Sequence, residues 1–190
     1  LANFNNLPHT DYVAKVDYTT NNVSDILHDF SDAIDRRLDV YKSLEIDDFD
    51  QYNKYCKKVH QKPEERKTLV FCDFNEVVAN NYEYTSLIQK ILLNGYRCGI
   101  YIIILTNFVH EEVLQAPIYK TIHTQIILRL SSGKESLALF ESHRGIQLFG
   151  NGDGYIYGKS PDEKLRFQSC YLNQDELSQI SEIINNFYKK

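Results

Sequence analysis

The sequence predicts a layered α/β fold, and three observations carry that prediction. Residues 68–73 and 100–106 are short apolar runs that read as strands, the second hydrophobic on both faces. Around them, apolar residues recur at three- and four-residue spacing, the mark of helices with one buried side. Strands alternating with such helices assemble into a sheet with helices laid on it. Length sets the scale: 190 residues are enough to bury most of their apolar surface as one domain without covalent staples.

Taken in order, residues 1–20 are polar and irregular, apart from the alternating stretch Tyr12-Val13-Ala14-Lys15-Val16, a candidate strand. From 22 to 44, Val23, Ile26, Leu27, Phe30, Ile34, Leu38 and Tyr41 line one face of a helix, with Asn22 and Ser24 as N-cap candidates. Residues 45–67 turn acidic and then basic, and Lys62-Pro63-Glu64-Glu65-Arg66-Lys67 reads as an exposed loop. The strand at 68–73 follows. A helix over 83–95 places Leu87, Ile88, Ile91 and Leu92 on one face and stops at Gly95.

The strand at 100–106 suits a parallel sheet covered on both sides. A short helix over 111–120 is broken by Pro117, a third strand spans Thr124 to Leu130, and a short helix runs from Ser136 to about Glu141. Tyr155-Ile156-Tyr157 and the segment from Arg166 to Cys170 read as an antiparallel pair. Asn173-Gln174-Asp175-Glu176 opens a last amphipathic helix through Leu177, Ile180, Ile183, Ile184 and Phe187. There is no internal repeat.

Composition excludes several classes. A net charge of −5 argues against a basic nucleic-acid-binding surface over the whole domain. The longest uncharged apolar run, 99–105, is far short of the ~20 residues a membrane-spanning helix needs, and no signal peptide is visible. Cys56, Cys72, Cys98 and Cys170 are scattered without a C-x-x-C pair, which favours buried thiols in a reducing compartment. The histidines are dispersed with no H-E-x-x-H, so no zinc site is expected. The absence of Met and the start at Leu1 read as a processed or excised piece.

The stretch Leu69-Val70-Phe71-Cys72-Asp73-Phe74-Asn75-Glu76 carries the chemistry. A buried parallel strand ending in an acid delivers a carboxylate to its C-terminal edge, where α/β sheets bind ligands and where nucleotide-bound Mg²⁺ is held. The glycine-rich partner of such a strand, G-x-x-x-x-G-K-[ST], does not occur in the chain. A helix cap or turn is the plainer role for Asp73. Asn107, after Thr106, either reads a phosphate or caps a following helix. Gly150-Asn151-Gly152-Asp153 precedes a strand and reads as a tight turn rather than a phosphate loop. Arg36-Arg37 reads as a solvated helix face, with DNA phosphates as the functional alternative.

Four segments, in order, resemble the C-terminal part of the motor domain of the FtsK/SpoIIIE family of DNA-translocating ATPases. Asp35-Arg36-Arg37-Leu38-Asp39-Val40-Tyr41, continued by Asp48-Phe49-Asp50-Gln51-Tyr52-Asn53, is similar to E-R-R-Y-x-x-F followed by N-I-x-x-Y-N. The strand ending at Asp73 resembles the family's Walker B strand. The segment from Gly95 to Asn107 resembles G-R-A-A-G-I-H-L-I-x-A-T-Q, and that from Thr124 to Asp153 resembles T-R-I-A-x-x-V-S-S followed by L-L-G-x-G-D.

The resemblance implies one partial RecA-like P-loop NTPase domain over 1–190, a sheet flanked by helices and lacking the N-terminal phosphate-loop segment. It further implies a cytoplasmic motor portion that uses ATP and Mg²⁺ in intact members, with double-stranded DNA and like subunits of a ring as partners. Asp73 then takes the Mg²⁺ position, through water and only in an intact site, and Asn107 the nucleotide-sensing position.

The departures bear on activity. The family's water-polarising glutamate corresponds to Phe74, whose benzyl group neither accepts a proton nor orients water; Glu76, two residues on, is a weak substitute. Arginines of the family motifs correspond to Gln125 and Leu137. The expected function is therefore an ATP-dependent DNA translocation domain of the kind used in division, sporulation or conjugation, without activity by itself. The alternative is a non-catalytic ATPase-like module for assembly or partner binding, as in tandem-domain type VII secretion ATPases.

Overall fold

The computed structural model describes residues 22–72, 74, 82–107, 117–158 and 164–188. They fall into two compact units, one within 18–123 and one within 124–190.

The first unit contains α1 (Asn22–Ser43), α2 (Phe49–Lys58), β1 (Lys67–Cys72), α3 (Tyr82–Asn94), a 3₁₀ turn (Gly95–Cys98), β2 (Ile100–Leu105) and α4 (Pro117–Thr121). The expected strands at 68–73 and 100–106 form and pair in parallel, Lys67 opposite Ile100 through Cys72 opposite Leu105. The predicted faces of α1 and α3 are the ones buried: Val23, Leu27, Ile34 and Tyr41 join Ile88 and Ile91 in one core, with Phe71, Ile100 and Ile118.

Burial along β2 alternates, with Ile100, Ile102 and Ile104 toward this core. Tyr101, Ile103 and Leu105 remain 41–48% exposed, so the expectation of a sheet covered on both sides is met on one face only among the described residues. The 3₁₀ turn ends at Gly99, whose φ of +66 suits glycine. A Cβ there would lie 2.5 Å from the Phe49 ring. Gly99→Ala is therefore expected to cost about 1–3 kcal/mol, from backbone strain and the clash, measurable as a lower urea midpoint.

Helix α2 lies in the stretch where the sequence showed no apolar period. Asp48 caps it by accepting from the Gln51 N–H at 2.9 Å, and Lys57 and Lys58 sit in the last turn, where the helix dipole favours cations. Phe49 and Cys56, seven residues apart, are its buried residues. Cys98 is likewise a buried thiol, as the scattered spacing suggested, whereas Cys170 is exposed.

The second unit contains β3 (Gln125–Leu128), α5 (Gly133–Phe140), a 3₁₀ turn (His143–Gly145), β4 (Asp153–Tyr157), β5 (Lys164–Gln168) and α6 (Gln174–Tyr188). Its sheet is antiparallel in the order β3-β4-β5, which includes the predicted antiparallel pair. Phe140 is its centre, edge-on to Tyr155 and Tyr157 at centroid distances of 5.5 and 5.2 Å and packed with Ile127. The buried Ser136 hydroxyl donates to the Ser142 carbonyl at 2.7 Å and accepts from the Gly145 N–H at 2.9 Å. That pairing ties α5 to the 3₁₀ turn.

Helix α6 opens with a reciprocal cap. The Asn173 side chain accepts from the Glu176 N–H at 2.9 Å, while Glu176 accepts from the Asn173 N–H at 2.8 Å. Of its predicted apolar face, Ile180 and Ile183 are exposed, at 37% and 67%.

The turn read at Gly150–Asp153 is present, with φ of +84, +52 and +90 at Gly150, Asn151 and Gly152. It aims Asp153 inward: the carboxylate accepts from the Phe149 N–H at 2.8 Å and from Arg166 Nε and Nη2 at 2.9 and 2.7 Å. The forked hydrogen bonds from Arg166 come first in holding the Asp153 carboxyl down to about 2. A depressed carboxyl stabilises the folded state above its unfolded value near 4 and loses that contribution as pH falls through about 2. Acid titration followed by tyrosine fluorescence is therefore expected to show a loss of stability over that window, flattened in Asp153→Asn.

Candidate strand-edge site

In parallel register β1 and β2 end side by side, Cys72 opposite Leu105, so the chain leaves both strands at the same edge. At such an edge backbone groups and loops are left unpaired by the sheet, which is why α/β folds bind ligands there. Asp73 follows Cys72 in sequence but lies outside the described residues, as does Glu76. Asn107 is two residues past Leu105, exposed in a bend.

Phe74 is the informative residue of this edge. It is 3% exposed, belongs to the core of the first unit, and meets Phe71 edge-on at 6.0 Å and 76°. The residue that the resemblance sets against a water-facing carboxylate is thus an aromatic ring committed to packing. In the second unit, Gln125 begins β3 half-buried, and Leu137 stands 48% exposed on α5; neither supplies a cation. Among the described residues no group of three His, Cys, Asp or Glu side chains is placed to hold a metal ion. No helix there is long and apolar enough to cross a membrane.

The arginine pair corrects the sequence reading. Arg36 is exposed, but Arg37 is 2% exposed and is neither on a solvated face nor available to a DNA phosphate. Its guanidinium donates to the Cys98 carbonyl, to the Glu64 carboxylate and, at 2.9 Å, to the Glu65 carbonyl. The Asn53 amide clamps the same loop, donating to the Glu64 carbonyl at 3.0 Å and accepting its N–H at 2.9 Å. Sequence offered a weak sign of this: an arginine one step from the apolar stripe of α1, facing acids more than two dozen residues away. Two arginines also flank the buried Phe49 ring, Arg37 at 5.5 Å and Arg66 at 4.9 Å.

No family model matches the chain. Among curated relatives, the DNA translocase FtsK of Staphylococcus epidermidis is 22% identical over 184 residues, covering 93% of this chain and 23% of that protein. The DNA translocase SftA of Bacillus subtilis is 23% identical, covering 95% of this chain and 19% of that protein. The chain thus spans about a fifth to a quarter of the length of these relatives. Among solved structures, ATPases 2 and 3 of EssC from Geobacillus thermodenitrificans align at a TM-score of 0.74 and 15% identity, over 99% of this chain and 36% of that one.

The conjugation coupling protein TcpA of pCW3, solved with ATPγS, aligns at a TM-score of 0.72 and 15% identity, over 88% and 49% of the two chains. The cytoplasmic domain of the type VII secretion ATPase EccC of Thermomonospora curvata gives 0.69 at 17%, over 86% and 20%. The fold is therefore an α/β fold like that of these ATPase structures. In sequence the chain is similar to FtsK-type DNA translocases along nearly its whole length.

Proposed function

We propose that residues 1–190 are part of a single RecA-like motor domain of an FtsK/SpoIIIE-type DNA translocase, in a copy that does not hydrolyse ATP by itself. The observation that carries this reading is the burial of Phe74 where the family uses a glutamate. Hydrolysis needs a group to orient the attacking water; a general acid–base group contributes roughly 10²–10⁴ in rate and an arginine finger roughly 10³–10⁵. In this reading Asp73 and Asn107 would face ATP and Mg²⁺ at the strand edge, double-stranded DNA and like subunits are the partners, and the setting is cytoplasmic. Division, sporulation and conjugation remain the candidate processes.

The test is ATP turnover by the purified 190-residue chain with double-stranded DNA present. No turnover above a protein-free blank is expected; measurable turnover that disappears in Asp73→Ala would overturn the reading. A second reading, a non-catalytic module for assembly or partner binding, is favoured by Phe74, Gln125 and Leu137 together, which leave three motif positions without their charges. A salt-dependent mobility shift of double-stranded DNA by the chain would support the translocase reading. Absence of any shift would support the module.

A further inference from the structure

Between α1, α2 and the loop before β1 lies a cavity of about 70 Å³ lined by Arg36, Arg37, Val40, Tyr41, Tyr52 and Glu64. Two of its donors are buried and unpartnered. Arg37 and Tyr41 are each 2% exposed, and neither Arg37 Nε nor Tyr41 Oη has a hydrogen-bond partner among the described residues. A buried donor left unpaired is costly, so such groups in native proteins are met by an acceptor. Burial comes first among the causes that push the Tyr41 phenol well above its ordinary range, so it stays protonated and has a hydrogen to donate to a ligand. Glu64 is already engaged by Arg37, which leaves Arg36 as the lining charge not paired within the lining.

We infer that this cavity binds one small oxyanion, of the size and chemistry of inorganic phosphate, held by Arg37 Nε–H, the Tyr41 hydroxyl and the Arg36 guanidinium. Planar guanidinium donors and a phenol lining one cavity suit oxygen ligands such as a tetrahedral oxyanion. The volume admits such a group or a few waters, a single water needing roughly 10–15 Å³ of such space. This site is independent of the strand edge and of the function proposed for it.

The test compares thermal unfolding of the 190-residue chain in phosphate and in chloride at equal ionic strength. With phosphate several-fold above its dissociation constant, the midpoint is expected to rise by about 2–4 °C. The rise should vanish in Tyr41→Phe, which keeps the packing, and shrink in Arg36→Gln. A short oligodeoxynucleotide tested alongside should give no rise that needs Tyr41, because the buried Arg37 is out of reach of a DNA phosphate; such a rise would overturn the assignment to a free ion. Equal midpoints in phosphate and chloride, or a rise unchanged in Tyr41→Phe, would overturn the inference. So would a crystal structure grown in phosphate that shows only waters bridging Arg37 and Tyr41.

Discussion

Phe74→Ala is expected to destabilise the first unit by about 3–5 kcal/mol, the usual cost of deleting a buried aromatic side chain and leaving a cavity. The ring is 3% exposed and packs edge-on against Phe71, so neighbours close the void only in part. Urea denaturation read by far-UV circular dichroism measures it, and Phe74→Leu should recover most of the loss because volume and polarity are nearly kept. Phe74→Glu supplies the residue type that the resemblance sets at this position. It is expected to be at least as damaging as alanine, because a carboxylate is driven into an apolar core without a partner, and to yield no ATP turnover. A Phe74→Glu protein of unchanged stability would show that the side chain can swing to the strand edge, and would undo the argument that packing removed catalysis there.

The second large effect is expected at Arg37. Its guanidinium serves the Cys98 carbonyl, the Glu64 carboxylate and the Glu65 carbonyl at once. Arg37→Met keeps much of the stem volume but strands all three acceptors, at a cost on the order of 2–4 kcal/mol; partial exposure of Glu64, 32% at its side chain, holds it below that of a fully buried pair. Adding Glu64→Gln should restore part of the stability by removing the uncompensated charge, a coupling that a double-mutant cycle in urea resolves. Arg37→Lys should fall between, since one ammonium reaches fewer of the three acceptors than a planar fork. Equal stability of Arg37→Met and the parent would mean that the loop before β1 is held by the Asn53 clamp alone.

Much of the fold was legible because it rests on local periodicity. The stripe from Val23 to Tyr41 buried as read, and the two apolar runs became paired strands. Gly150 to Asp153 read as a tight turn, and the structure has that turn, with positive φ at Gly150, Asn151 and Gly152. Helix α2 was not legible: its buried side amounts to Phe49 and Cys56, too few apolar residues to mark a period, and its stability comes from the Asp48 cap and from tertiary packing. Arg36 and Arg37 look identical in sequence, yet one residue of rotation on a helix is about 100°, enough to send one outward and the other into the core.

By itself, then, the sequence determined the order and kind of most elements, the parallel strand pair and the resemblance to FtsK-type motors, because each depends on side chains spaced a few residues apart. Only the tertiary structure decided that Phe74 is a packing residue, that Arg37 is a buried staple, and that Arg37 and Tyr41 hold unpaired donors over one cavity. Each of these depends on partners distant along the chain. Burial and hydrogen bonding are set by what folds against a residue, and spacing along the chain carries no record of that.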